Sequence, residues 1–409
     1  MTTIHQSQRK EIFRKVVSTT AEKFADPKMN GVNWAQVARE TEDAIVSSED
    51  PAEFEKRINE LLQHLGTSHI GFFQGERPKS PGRIAISATF LKADTADGSR
   101  WMFQDVHPGG LAGNAGIEPG DVLLQLDGIE IVQPVAPTFA LATDHKLTIR
   151  KRNGNISSVN VSVPPSQSKK RPLIVPDQVV TSRKLDATTG YIRVSMFPGV
   201  LGIDVARDIL AAAQSSEAQK LVIDLRGNSG GGIGCLRLMS LLCPDKRGVG
   251  FTFGRKQIAA RASKEALPVF DKIPSSQWGI LPLLLKFGLA GRSVAVSSEG
   301  LGGAPYHGKV ALLINEHSAS ASEMVAAFAS EYSLAQLIGT STPGKLVAAN
   351  SFKVGHGYRI ALPVGVYYTW QGTKLEGQGV KPHVEVPTLP QDLLAGEDSV
   401  LAKALEQLN

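Results

Sequence analysis

The chain has 409 residues, 42% of them hydrophobic, so it exceeds one ordinary domain and can build real cores. Its 44 Lys and Arg against 39 Asp and Glu leave +5, too mild a balance, and too scattered, for a nucleic-acid face. The two cysteines, Cys235 and Cys243, exclude a disulfide framework and carry no metal-type pairing. Both fall in an apolar run, which predicts buried free thiols.

The N-terminus, MTTIHQSQRKEIFRKVVSTTAEKF, has no apolar core of signal-peptide length. A cytoplasmic protein is expected, unless a leader was removed. Residues 1–75 read as helical, with apolar positions at helical spacing over 34–45 and 54–65. A polar joint follows at 75–81. Residues 82–164 change character: short alternating runs at 84–91, 101–106, 121–126, 147–150 and 158–163 predict a small, mostly β module. The Pro- and Lys-rich stretch 164–172 reads as a linker. From 173 to 409 strands alternate with helices, which predicts an α/β domain with a largely parallel sheet. The most apolar stretch, 278–290, is broken by Pro282 and Lys286 and is too short to span a bilayer.

Three segments carry chemistry. The first runs from a buried strand at 310–314 through His317-Ser318-Ala319-Ser320-Ala321-Ser322-Glu323 into a helix. Small residues let a substrate backbone approach, and helix N-terminal amides favour developing negative charge. The same residues also fit an N-cap cluster of the Ser-x-x-Glu kind. The second, Ile338-Gly339-Thr340-Ser341-Thr342-Pro343-Gly344-Lys345, ends a strand in a glycine turn that presents a lysine. In a dry pocket such a lysine turns neutral and can take a serine proton; in a surface loop it stays solvated. The third, Leu221-Val222-Ile223-Asp224-Leu225-Arg226-Gly227-Asn228-Ser229-Gly230-Gly231-Gly232, is a strand followed by a glycine-rich turn. Its exposed amides suit an anion, but it lacks the Lys-Ser/Thr ending of a P-loop.

Together these segments resemble the tail-specific, or C-terminal processing, serine peptidases. The Asp-Leu-Arg and Asn-x-Gly-Gly pattern matches 224–231, the Ser-Ala-Ser-Ala-Ser-Glu pattern matches 318–323, and Gly-x-x-Thr-x-Gly-Lys matches 339–345. The serine-to-lysine spacing, 345 − 320 = 25, is also the family's. Residues 116–128 resemble the strand-turn signature of the family's PDZ module, and 376–382 its C-terminal motif. The resemblance implies a multidomain α/β chain: an N-terminal helical segment (1–75), a PDZ-like peptide-binding domain (82–164) and a crotonase-like α/β protease core (173–409). It implies Ser320 as nucleophile, Lys345 as base, Gly230 and Ala321 as oxyanion donors, and no metal or organic cofactor. Partners would be unfolded or C-terminally tagged polypeptides. No nucleic acid and no membrane span are expected. Ala88, Thr89, Phe90 and Leu91 stand where the carboxylate-binding loop of a PDZ module would be. The N-terminal helices are candidate contacts for a homo-oligomer, by analogy.

One departure opens a second base. The glutamine that usually follows the lysine by four residues is replaced by Ala349. The tricorn peptidases instead use a histidine from a Ser-His pair near the end of the N-terminal segment, supported by a C-terminal glutamate. Ser68-His69 and Glu376 fit those places, and histidine has a suitable ordinary pKa. Two non-catalytic readings remain: an apolar-ligand carrier on the same fold, using the apolar region 278–289, and a PDZ adaptor with a silent core.

Overall fold

Four short apolar runs, Thr189–Val194, Lys220–Asp224, Lys309–Ile314 and Gln336–Gly339, lie side by side as parallel strands. Val180–Lys184 adds an antiparallel edge and Val384–Glu385 a short parallel one. The period of two along each strand splits its side chains between two cores. On one face Ile192, Ile223, Leu312 and Leu337 pack with Ile209, Leu238, Val325 and Phe328 from the helices Gly202–Ser216, Gly234–Leu242 and Ala321–Glu331. On the other, Val222, Ala311, Leu313 and Ile338 pack against Val400, Ala404 and Leu408 of the helix Ser399–Leu408. The expected α/β core is therefore present. Cys235 and Cys243 are free and buried in it, and burial pushes the Cys235 thiol up to about 12.

In this computed structural model the described residues are 4–74, 79–167, 173–198, 202–216, 218–232, 234–274, 277–291, 293–302 and 306–409. Residues 75–78 of the expected joint and 168–172 of the expected linker lie outside them.

The charged pair of the Asp-Leu-Arg motif has a structural task. Asp224 is fully buried at the end of its strand. It accepts hydrogen bonds from Tyr191 Oη at 2.6 Å and from Arg226 Nε and Nη2 at 3.0 and 2.8 Å. Arg226 also donates to both carboxylate oxygens of Asp398, at 2.8 and 2.7 Å. Asp398 caps the C-terminal helix, accepting from the Leu401 N–H. Burial alone would raise the Asp224 pKa, but Arg226 and Arg193 hold it below the ordinary carboxylate range.

A second sheet was not legible in the sequence. It joins Gly71–Gln74, Tyr358–Thr369, Gly248–Gly254, Val294–Ser297 and Val269–Phe270 in that order, with Val347–Gly355 also paired to Tyr358–Thr369. Gly71–Gln74 runs antiparallel to residues 358–361. The N-terminal helices Gln6–Lys23, Trp34–Val46 and Pro51–Gln63 pack on this sheet. Phe72 stacks on Tyr358 at 4.8 Å, and Phe54 meets Phe72 edge-on at 5.6 Å. The N-terminal segment thus shares one core with the C-terminal half.

Within residues 82–164 the strands form a sheet of their own. That sheet runs Ala88–Thr95, Gly98–Val106, Val122–Leu126, Thr143–Arg150, Ile156–Val163. The first expected run, 84–91, is only half a strand. Gly82–Ala85 is a helical turn, and Ser87 at φ +57° redirects the chain before the strand starts at Ala88. His107, 2% exposed, donates from Nε2 to the Gln178 carbonyl and ties the module to the core. Its Nδ1 is buried without a partner.

Burial pushes the His107 imidazole down to about 4. Between pH about 6.5 and about 4 the unfolded chain binds a proton at this site that the folded chain refuses. Stability therefore falls as pH falls through that window, by up to about 3 kcal/mol. Urea unfolding of the parent and His107→Gln at neutral pH and at pH about 5 checks this: the parent loses more on acidification.

Candidate active site

Ser320 sits where the strand Lys309–Ile314 turns into the helix Ala321–Glu331. Asn315 N–H donates to Ser318 Oγ at 2.9 Å, Ser318 Oγ donates to the Leu225 carbonyl at 2.8 Å, and Ala319 N–H donates to the Asn228 carbonyl at 2.9 Å. These bonds seat the turn on the glycine-rich loop. Ser320 itself is held at φ +57°, ψ −116°, a conformation that side chains rarely adopt. Strain of this kind persists only where the surroundings impose it, and it clusters at functional sites. Ser320 is half-buried.

Gly230 fits because it has no side chain. A Cβ there would lie 2.6 Å from Ser320 Cβ and 2.4 Å from the Ala319 carbonyl. At Gly231 it would strike the Phe197 carbonyl at 1.6 Å. The two expected oxyanion donors stand differently. Ala321 opens the helix, so its N–H has no intrahelical acceptor. The Gly230 N–H instead donates to Asn228 Oδ1 at 2.8 Å. The reason is burial: Asn228 is fully enclosed, and its amide is satisfied by Gly230 and by the Val194 carbonyl.

Glu323, fully buried one turn into the helix, is the hub of the site. Its Oε2 accepts the Ser320 and Lys345 N–H groups at 2.8 and 2.9 Å; its Oε1 accepts Thr342 Oγ1 and the Gly344 N–H at 2.8 and 2.7 Å. Burial pushes its carboxyl up, and these four donors oppose that. The backbone of the 342–345 turn is thereby fastened beside Ser320. Lys345 is exposed, and no hydrogen bond or ion pair is described for its Nζ. Of the two alternatives for this lysine, the exposed side chain matches the surface loop, and its main-chain N–H is the part held inward.

Glu376 makes a second hub. Its Oε1 accepts Thr67 Oγ1 at 3.0 Å and the Ser68 N–H at 2.6 Å; its Oε2 accepts Ser68 Oγ at 3.0 Å and the Leu346 N–H at 2.9 Å. Ser68 Oγ is also 2.7 Å from His69 Nδ1. His69 is exposed and held at φ +56°, a second strained residue two positions before the strand Gly71–Gln74. The hydroxyl has one proton, and the carboxylate takes it. Ser68 Oγ therefore accepts from His69 Nδ1–H, which leaves Nε2 as the basic nitrogen. The two hubs are linked through adjacent residues: Lys345 N–H reaches Glu323 and Leu346 N–H reaches Glu376.

The small module touches this site through pairs that the sequence did not reveal. Asp105 Oδ2 accepts Asn315 Nδ2 at 2.8 Å and Thr89 Oγ1 at 2.7 Å; Asn315 Oδ1 accepts the Gly227 N–H at 3.1 Å. Gln104 Nε2 donates to Glu316 Oε1 at 2.8 Å. Of the expected peptide-binding residues, Ala88 and Thr89 are buried, and Phe90 packs on Phe103 at 4.7 Å. Leu91 is half-buried. Their strand nonetheless lies at one edge of the module's sheet. Among the described residues no group of three or more His, Cys, Asp or Glu is placed to hold a metal ion.

The buried Asp105–Asn315 pair yields a test. Asn315→Leu leaves Asp105 Oδ2 with Thr89 Oγ1 as its one remaining side-chain donor, takes the acceptor from the Gly227 N–H, and lowers stability by about 1–3 kcal/mol. Asp105→Leu costs a similar amount, and the double variant costs less than the sum. Chemical denaturation of all four proteins reads the coupling.

Residues 188–386 match the family described as Peptidase family S41. The chain is 26% identical over 405 residues to the putative tricorn protease homolog 2 of Streptomyces coelicolor, covering 93% of this chain and 30% of that protein. It is 24% identical to the carboxy-terminal processing protease CtpA of Bacillus subtilis, covering 80% of this chain and 62% of that one. It thus spans less than two thirds of the length of either relative. Among solved structures, mature CPAF superposes with a TM-score of 0.60 at 16% identity, covering 98% of this chain and 97% of that one. The photosystem II D1 C-terminal processing protease gives 0.54 at 16% identity and 94% of both chains. The tricorn protease gives 0.50 at 16% identity, covering 98% of this chain and 36% of that one. These superpositions establish the shared fold.

Proposed function

We infer, taking residues 188–386 as a domain of peptidase family S41, that the chain is a serine endopeptidase that cleaves polypeptides through an acyl-enzyme. Ser320 is the nucleophile. The observation that carries this reading is the strained Ser320 between Gly230 and the N-terminus of its helix, with its main chain fixed by the buried Glu323.

His69 is the base in this proposal. The Glu376–Ser68–His69 relay supports it, because it fixes the ring tautomer and points the basic character to Nε2. Such a three-part relay has no use in a carrier or a silent adaptor. Nε2 takes the Ser320 Oγ proton as Oγ adds to the peptide carbonyl. The developing oxyanion lies at the Ala321 N–H and the helix N-terminus. The imidazolium then protonates the leaving amine, and the C–N bond breaks. A water, deprotonated by the same nitrogen, hydrolyses the ester and restores Ser320. Glu376 stabilises the transient charge on His69 through Ser68. Lys345 is the second reading for the base, supported by its sequence spacing to Ser320 alone.

Substrate capture through the small module belongs to the same proposal. Among the described residues the strand Ala88–Thr95 has no strand paired to its outer edge, so an extended chain end can add there by main-chain hydrogen bonds. Preference for free C-termini is the expectation from relatives named as carboxy-terminal processing proteases.

Cleavage of an unfolded protein with an apolar C-terminal tail tests the assignment. Ser320→Ala abolishes it. His69→Ala lowers kcat by about 10²–10⁴, the usual worth of a general base. Lys345→Ala stays close to the parent. Loss in Lys345→Ala, with His69→Ala still active, would transfer the base role to the lysine. No cleavage by the unmodified, folded chain would reject the peptidase reading for this substrate class.

A further inference from the structure

The scatter of charge expected from the whole chain hides one local excess. Residues 255–292 hold seven Lys and Arg against two Asp and Glu, 7 − 2 = +5, which equals the charge of the whole chain and leaves the remainder at zero. The same segment carries the helix Ile280–Leu289 and, just before it, the turn Gln277–Gly279. Among the described side chains of this turn and helix, four large apolar ones stand in water: Trp278 at 86% exposure, Leu281 at 56%, Leu285 at 60% and Leu289 at 90%. Leu281, Leu285 and Leu289 are four apart, so they share one face of the helix. A soluble surface does not keep such a stripe without a use.

Cations flank both ends of the stripe. At the C-terminal end, Gln257 Nε2 donates to the Ala290 carbonyl at 3.1 Å, and Lys256 lines a cleft together with Ala290, Leu267 and Pro268. Arg261 follows in the same region and is exposed. At the N-terminal end, a Cβ on Gly279 would meet Pro274 at 2.9 Å, and exposed Lys272 lies two residues before that proline. Of the two acids in the segment, Asp271 is already paired with Lys246. An apolar stripe with a tryptophan at one end and lysines at its margins has the make-up of a helix that lies in a lipid interface.

We propose that Trp278, Leu281, Leu285 and Leu289, with Lys256, Arg261 and Lys272, form a docking surface for an anionic lipid bilayer. The helix lies in the plane of the surface, its leucines among the acyl chains and the cations at the headgroups. No helix of the described residues is long and apolar enough to cross a membrane, so this contact is peripheral. Each basic residue near an anionic leaflet contributes about 1 kcal/mol, an attraction that weakens within a Debye length.

Co-sedimentation of the full chain with vesicles tests this. Vesicles of phosphatidylcholine with phosphatidylglycerol are compared with phosphatidylcholine alone, at about 0.1 M and about 1 M salt. The chain binds the anionic vesicles at low salt, and binding weakens at high salt. The pair Leu281→Glu with Leu285→Glu, and the pair Lys256→Glu with Lys272→Glu, each lower the bound fraction about tenfold or more. Circular dichroism and the unfolding midpoint show that both variants still fold. The proposal is overturned if the unmodified chain stays in the supernatant with anionic vesicles, or if the leucine variant binds as the parent does. A dimer that Leu281→Glu with Leu285→Glu converts to monomer, without vesicle binding, would also overturn it and assign the stripe to self-association.

Discussion

A single buried carboxylate holds the candidate site together. Glu323 cannot leave its four acceptor positions unfilled in an enclosed space, because an unpaired buried charge costs several kcal/mol. The groups that fill them come from two places: its own helix N-terminus at Ser320, and the turn at Thr342, Gly344 and Lys345. The need to satisfy one side chain therefore sets both the strained backbone of Ser320 and the position of the facing turn. Glu376 repeats the device one residue further along, gathering Thr67, Ser68 and Leu346. Two carboxylates in series do what no single loop does: they bring residues some 250 to 300 positions apart in the chain into one hydrogen-bonded system.

The core was readable because its signals are local. The strands Lys220–Asp224 and Lys309–Ile314 and the helix Gly234–Leu242 begin and end where apolar runs meet glycine, asparagine or charge. The turn that carries Ser320 was readable for the same reason: a strand, a run of small residues and a capping glutamate are contiguous. The sheet built from Gly248–Gly254, Val347–Gly355 and Tyr358–Thr369 was not, because its pairings join distant segments and one strand comes from the N-terminal region. Antiparallel register of that kind leaves no mark in a short window.

The same limit explains the two bases. Spacing along the chain made Lys345 the natural expectation, but spacing says nothing about which way a side chain faces. Glu323 captures the main chain of that turn, and Lys345 is exposed. The Ser68-His69 pair could be read as a motif, yet its connection to Glu376 spans about 300 residues and only packing makes it. The link from Asp105 through Asn315 to Gly227 is of the same type. Gly230 shows the reverse case: its lack of a side chain was legible, but the direction of its N–H depends on how Asn228 is buried.

The strand Gly71–Gln74 has no partner until residues 358–361 exist. The chain is made from its N-terminus, so the helices before that strand wait through most of synthesis for Tyr358, Ile360 and Leu362 to complete their core. The proposed base travels with them, and its supporting glutamate arrives later still, at 376. On the proposed mechanism, a ribosome-bound chain that already displays Ser320 still lacks the completed relay behind its base.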